Sequence, residues 1–140
     1  MQNPMKSKIV LVLRIIAAAI LLQTLFFKFT GAPESKFIFT TLGIEPWGRL
    51  FAGFSELIAS ILLLVPVTQL LGALMALGIM AGAIASHILF LGIVVQDDGG
   101  LLFGLALAVT ACSLAIIILK KNEIPVWIER VKKIISANKK

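Results

Sequence analysis

The chain has 140 residues, of which 59% are hydrophobic and only 14% charged, with a formal net charge of +6. An ordinary soluble domain is about 45–50% apolar, so this composition excludes a soluble enzyme and points to one membrane domain with no room for a catalytic one beside it. Nor does the basic excess suggest nucleic-acid binding, because no basic stripe carries interleaved aromatics and most Lys and Arg flank apolar runs.

Four apolar runs dominate the chain, roughly Ile9–Phe29, Leu50–Val65, Leu70–Val95 and Leu101–Leu119. A hydrocarbon core ~30 Å thick needs about 20 apolar residues per helix, and backbone at that depth must satisfy its own hydrogen bonds. The runs therefore predict an all-α integral membrane protein, a four-transmembrane-helix antiparallel bundle occupying residues 1–122. The first run has basic residues ahead of it, but Arg14 interrupts it and Pro33 follows the small residues Thr30-Gly31-Ala32, which speaks against a cleaved signal peptide. Pro33 opens a short helix over Glu34–Leu42 in the first loop. Its Phe37, Ile38, Phe39 and Leu42 form an apolar side that lies on the membrane or caps the bundle. A turn over Leu42–Gly48 follows, with Trp47 suited to the interface.

Pro66 ends the second span and a tight hairpin leads to the third, whose Gly78-x-x-x-Gly82, Ala85 and Ser86 predict close backbone packing inside the bundle. The same small-residue pattern leaves a dimer face, and hence a homo-oligomer, as the alternative. Residues 123–140 form a basic amphipathic tail. Trp127, Ile128, Val131, Ile134 and Ile135 fall on one helical face, and Glu129, Arg130, Lys132 and Lys133 on the other. That pattern suits a helix lying in the interface on anionic lipid, with docking to a soluble partner as the alternative.

The basic residues also orient the chain. Lys6, Lys8 and Arg14 lie at the start, while Lys120, Lys121, Arg130, Lys132, Lys133, Lys139 and Lys140 follow the fourth span. The first and third loops mix Lys28, Lys36 and Arg49 with Glu34, Glu45, Asp97 and Asp98, and the second loop is uncharged. Both termini are thus expected in the cytoplasm, with loops one and three outside.

Recognisable chemistry is sparse. Cys112 is the single cysteine, so the thiol pair that disulfide exchange needs is missing, and one His with one Cys at different depths cannot close a metal site. No phosphate-cradling glycine loop or nucleophile elbow occurs. What remains is buried charge, which is expensive in a membrane and marks candidate sites. Lys28, Glu56 and His87 are expected to converge in the outer half of the bundle, with His87 deeper than Glu56. Arg49, Asp97 and Asp98 are expected to bracket the mouth of a polar pocket there. Simpler readings stand beside these: Lys28 snorkelling to the outer headgroups, Arg14 snorkelling to the cytoplasmic surface or acting as a structural buried charge, and His87 as a packing residue.

Taken together, Arg14, Lys28-Phe29-Thr30-Gly31, Gly53-x-x-Glu56-Leu57 and His87 ahead of Asp97-Asp98-Gly99-Gly100 resemble the DoxX family over roughly residues 9–119. The resemblance implies a small four-span protein of the bacterial cytoplasmic membrane. Relatives include subunits of thiosulfate:quinone oxidoreductase, associates of thiol and superoxide defence enzymes, and four-span chaperones or cargo receptors. It therefore implies an accessory or scaffold subunit of a redox or stress-response complex, with a membrane or soluble oxidoreductase as partner. The rival reading is a pocket that binds a quinone or another small molecule. A small proton-coupled transporter is third, and an apparent position of Glu56 near one end of its span weighs against it.

Overall fold

The structure, a computed structural model, describes residues 3–138; Lys139 and Lys140 of the basic tail lie outside them. Helix α1 spans Pro4–Thr30, α2 Pro33–Thr41, α3 Trp47–Leu64, α4 Gln69–Ser86, α5 Leu101–Lys120 and α6 Ile124–Ala137. A π-helical turn, His87–Leu91, continues α4, and a 3₁₀ turn, Lys121–Glu123, joins α5 to α6. No strand occurs among the described residues. The protein is an all-α membrane bundle in which four helical stretches are long and apolar enough to cross a bilayer. Apolar side chains such as Ile15, Phe26, Phe54, Ile58, Leu74, Leu107 and Ile118 cover its outside, a surface that lipid accommodates and water does not.

Local chemistry sets the helix ends. Asn3 accepts a hydrogen bond from the Met5 N–H at 3.0 Å and Pro4 takes the first helical turn, so α1 begins ahead of its apolar run. Gly31, at φ 65°, closes α1 in the left-handed conformation that glycine adopts without a Cβ penalty. In α2, Phe39 is buried and Ile38 and Leu42 are half-buried, whereas Phe37 turns outward and does not share their side. The third membrane helix stops at Leu91, four residues short of the expected Val95, where Gly92 turns the chain at φ 79°.

Around the bundle, α1 and α4 each lie against both α3 and α5. Small side chains fill the half nearest the termini. Ala17, Ala18, Ala59, Ala73 and Ala76 are buried with Leu63, Val109 and Ile116 between them. Gly72 allows the closest approach: a Cβ there would sit 2.5 Å from the Leu63 backbone nitrogen and 2.7 Å from the Leu62 carbonyl carbon. Arg14 lies in this half and is only 6% exposed. Its guanidinium donates to the carbonyls of Leu63 and Leu64, two of the four at the end of α3 that lack a partner within the helix. The expected snorkelling to the surface therefore does not occur, because the end of α3 brings acceptors to the arginine. The terminal helix α6 buries none of its residues against the bundle.

Candidate functional site

At the α2 end of the same four helices lies a cavity of about 630 Å³. Its deeper wall is apolar, including Leu21, Met80, Ala106 and Val109, and α2 contributes Ile38, Phe39 and Leu42 above it. Clefts that hold small molecules typically measure about 300–1,000 Å³ and are apolar with a few converging polar groups. Four of the charged or titratable residues singled out from the sequence line this one: Lys28, Glu56, His87 and Asp98.

Lys28 and Glu56 form an ion pair in its wall. Lys28 Nζ lies 3.0 Å from Glu56 Oε1, and Thr24 Oγ1 donates to Glu56 Oε2 at 3.3 Å. Thr24 and Lys28 are four residues apart on α1, so one face presents both donors to one carboxylate. Lys28 therefore bonds inward instead of snorkelling, and Glu56 is only 3% exposed. A neighbouring glycine permits the pairing. At Gly53, one turn from Glu56, a Cβ would come within 2.8 Å of the Phe29 ring, so glycine lets α1 and α3 meet here.

Helix boundaries reverse the expected depths. Helix α3 starts at Trp47, which makes Glu56 its tenth residue of eighteen instead of one near the end. His87 lies four residues before Leu91, where the helix ends. At ~1.5 Å per residue, Glu56 is about 14 Å along its helix and His87 about 6 Å along its own, so His87 is the shallower residue. The mid-helix position of Glu56 also removes the depth argument against proton coupling.

His87 is held in place. Its Nδ1 lies 2.8 Å from the Gly92 carbonyl, which can only accept, so Nδ1 carries a hydrogen and donates it there. The ring also packs edge-on against Phe103 with centroids 5.5 Å apart. Asp98 is occupied by the backbone: it accepts from the N–H groups of Val95, Gly100 and Leu102 at 2.8–2.9 Å. Burial pushes its carboxyl upward, but those three donors, together with His87, outweigh this and hold it below its ordinary value of 3.8.

Two expected pocket residues do not line the cavity. Arg49 Nε donates to Glu45 at 2.9 and 3.0 Å, Nη2 lies 2.8 Å from Glu45 Oε1, and Nη1 donates to the Lys28 carbonyl. That guanidinium ties the first loop to the end of α1 and points nothing into the cavity. Asp97 is exposed in the turn at φ 61°. The close packing expected at Gly78 and Gly82 is also absent, since a Cβ at either meets nothing within 4 Å. Both glycines line the cavity instead, and Gly72 makes the tight helix contact.

Thr24, Ser55, Ser86 and Glu34, none of them expected in the pocket, also line the cavity. Thr24 stands at helical spacing from Lys28 and Ser55 is next to Glu56, so both carried a signal. Glu34 carried none, because an acid in the first turn of a loop helix reads equally well as a partner of the helix dipole. Among the described residues, no three His, Cys, Asp or Glu side chains are grouped to hold a metal ion. The arrangement offers an apolar chamber with a fixed ion pair, an orientable hydroxyl set and one imidazole. Comparison with protein-family models, with curated proteins and with solved structures finds no match.

Proposed function

We propose that this multi-pass membrane protein binds a small molecule with a long apolar part, held in the cavity beside Lys28 and Glu56. One observation carries the reading: a chamber of about 630 Å³ with an apolar wall and converging polar groups, inside a bundle whose other half is solid. The basic residues near both termini support cytoplasmic ends, which sets the cavity in the outer half of the bilayer. Localisation to a bacterial cytoplasmic membrane rests on the resemblance to DoxX proteins, as does a quinone as one ligand of suitable shape.

The resemblance also supports a role as an accessory subunit of a redox or stress-response complex, and one experiment separates the two. The protein is extracted from its native membrane into nanodiscs and examined by native mass spectrometry. A retained small molecule, lost when Gly78 and Gly82 are both changed to Leu to fill the chamber, supports ligand binding. A stoichiometric partner protein that is unaffected by filling the chamber supports the accessory role and overturns the ligand reading.

A further inference from the structure

We infer that the ligand reaches the cavity sideways from the bilayer, between α3 and α4, and that its head is cationic. This rests on the ligand-binding reading above and goes beyond it in route and charge.

The route follows from one stripe of α4. Gly72 on that stripe presses against the backbone of Leu62 and Leu63. Ile79 and Ser86, seven and fourteen residues further on, point in nearly the same direction, since seven residues make almost two full turns. There, however, they line the cavity, across which lie Phe51, Ala52 and Ser55 of α3. The two helices are thus in contact at the hairpin and apart towards α2. Gly78 and Gly82 add no side chain to the gap, and Phe51 at its α3 edge is 75% exposed. An opening on the flank of a membrane helix pair faces lipid, so its natural visitor is an amphiphile already dissolved in the bilayer.

Charge selects the head. Among the described residues Lys28 is the only Lys or Arg lining the cavity, and Glu56 already holds it. Arg49 is held by Glu45, and neither it nor Lys36 of α2 lines the cavity. An anionic head would therefore find no unpaired Lys or Arg on the cavity wall. Three carboxylates line the cavity against that one lysine: Glu34, Glu56 and Asp98. Glu56 is balanced by Lys28, and Asp98 by three backbone donors. Glu34, on the first turn of α2, has neither a hydrogen bond nor an ion pair among the described residues. It stands where a cationic head would rest with its chain directed towards Met80 and Val109. Like charges juxtaposed across a binding surface are costly, so the same carboxylates discriminate against anionic amphiphiles.

The test uses the full chain in phosphatidylcholine nanodiscs, with empty discs as the baseline for partitioning. Radiolabelled dodecyltrimethylammonium, dodecanol and dodecyl sulfate are titrated in turn. The expected result is saturable, protein-dependent binding of the ammonium probe at least tenfold tighter than of the sulfate. Glu34→Gln weakens the ammonium probe about threefold, the scale of a partly exposed ion pair, and leaves melting unchanged. Equal binding of all three probes overturns the charge inference and leaves the ligand reading intact; no saturable binding of any probe overturns both. For the route, Phe51→Cys and Gly82→Cys in a Cys112→Ala background are joined by a reducible bifunctional thiol reagent. Uptake that stops on cross-linking and returns on reduction supports the lateral path, whereas uptake unchanged by cross-linking overturns it.

Discussion

Towards the termini the four membrane helices enclose side chains; towards α2 the same helices enclose space. The first half packs Ala17, Ala59, Ala73 and Ala76 around Leu63 and Ile116, and brings α4 onto the α3 backbone at Gly72. The second half keeps α3 and α4 apart and puts its buried charge, Lys28 and Glu56, at the cavity wall. Each half also holds a buried basic residue, used differently. Arg14 bonds to backbone carbonyls that have no other partner, a structural role. Lys28 bonds to a carboxylate at the cavity wall. Tight helix packing and open space thus occupy separate halves, and the ion pair at the cavity wall is where stability and the proposed binding meet.

The largest effect is expected from splitting the ion pair. Removing one member of a buried pair typically costs about 3–5 kcal/mol, while replacing both with apolar groups is often close to neutral. Lys28→Met and Glu56→Gln should each lower the melting temperature in detergent sharply, and the double change Lys28→Met, Glu56→Met should restore most of the loss. Equal melting of all four proteins would mean that the pair contributes no stability and that the open half is even softer than its geometry suggests.

Next come the glycines, which set the two halves against each other directly. Gly72→Val drives a Cβ and its two methyl groups into the α3 backbone, and overpacking of this kind typically costs about 1–3 kcal/mol. Gly82→Val meets nothing within 4 Å of its Cβ and should leave melting within error while reducing ligand uptake. Swapped outcomes would place the tight contact at the wrong end of α4.

A smaller effect concerns the turn that borders the cavity. Asp98 has its carboxyl held below the ordinary value of 3.8, so the folded state binds that proton less readily than the unfolded chain does. Its contribution is complete above about pH 4 and is lost as the pH falls through the lower folded value. Melting followed from pH 7 down to pH 2.5 should therefore fall in the acid range, and Asp98→Asn should remove part of that fall. An identical acid profile for the variant would show that the three backbone bonds to Asp98 do not contribute.

The two halves were not equally legible in the sequence. Four spans were readable because apolar length and helical backbone are imposed by lipid itself, and Pro33 marked the start of α2 with its ordinary chemistry. The cavity was not readable from Gly78-x-x-x-Gly82, since small residues allow close packing and equally leave room when the neighbouring helix diverges. Which of the two occurs is fixed by Gly72 and the hairpin, two turns away. The depth of His87 depended on Gly92, a glycine after an apolar run that signals a helix end more strongly than the hydropathy beyond it suggests. The role of Arg14 depended on where α3 stops, which no residue near Arg14 encodes.

The smallest effect belongs to α6, which joins neither half. Val126, Ile128, Ile134 and Ile135 are exposed, and Arg130, Lys132 and Lys133 are exposed beside them. A helix with no fully buried residue, with Val126, Ile128, Ile134 and Ile135 exposed and with adjacent cations suits the surface of an anionic bilayer. Each Lys or Arg near such a surface contributes about 1 kcal/mol, so the effect is graded, not all-or-none. With Trp47→Phe removing the other tryptophan, Trp127 becomes the single reporter. Its fluorescence should be quenched by brominated lipid in nanodiscs, more strongly with phosphatidylglycerol than with phosphatidylcholine. Changing Arg130, Lys132 and Lys133 to Gln should abolish the difference between the two lipids without altering melting or ligand uptake. Unquenched Trp127 in both lipids would take α6 off the membrane surface and make it the docking helix for a soluble partner.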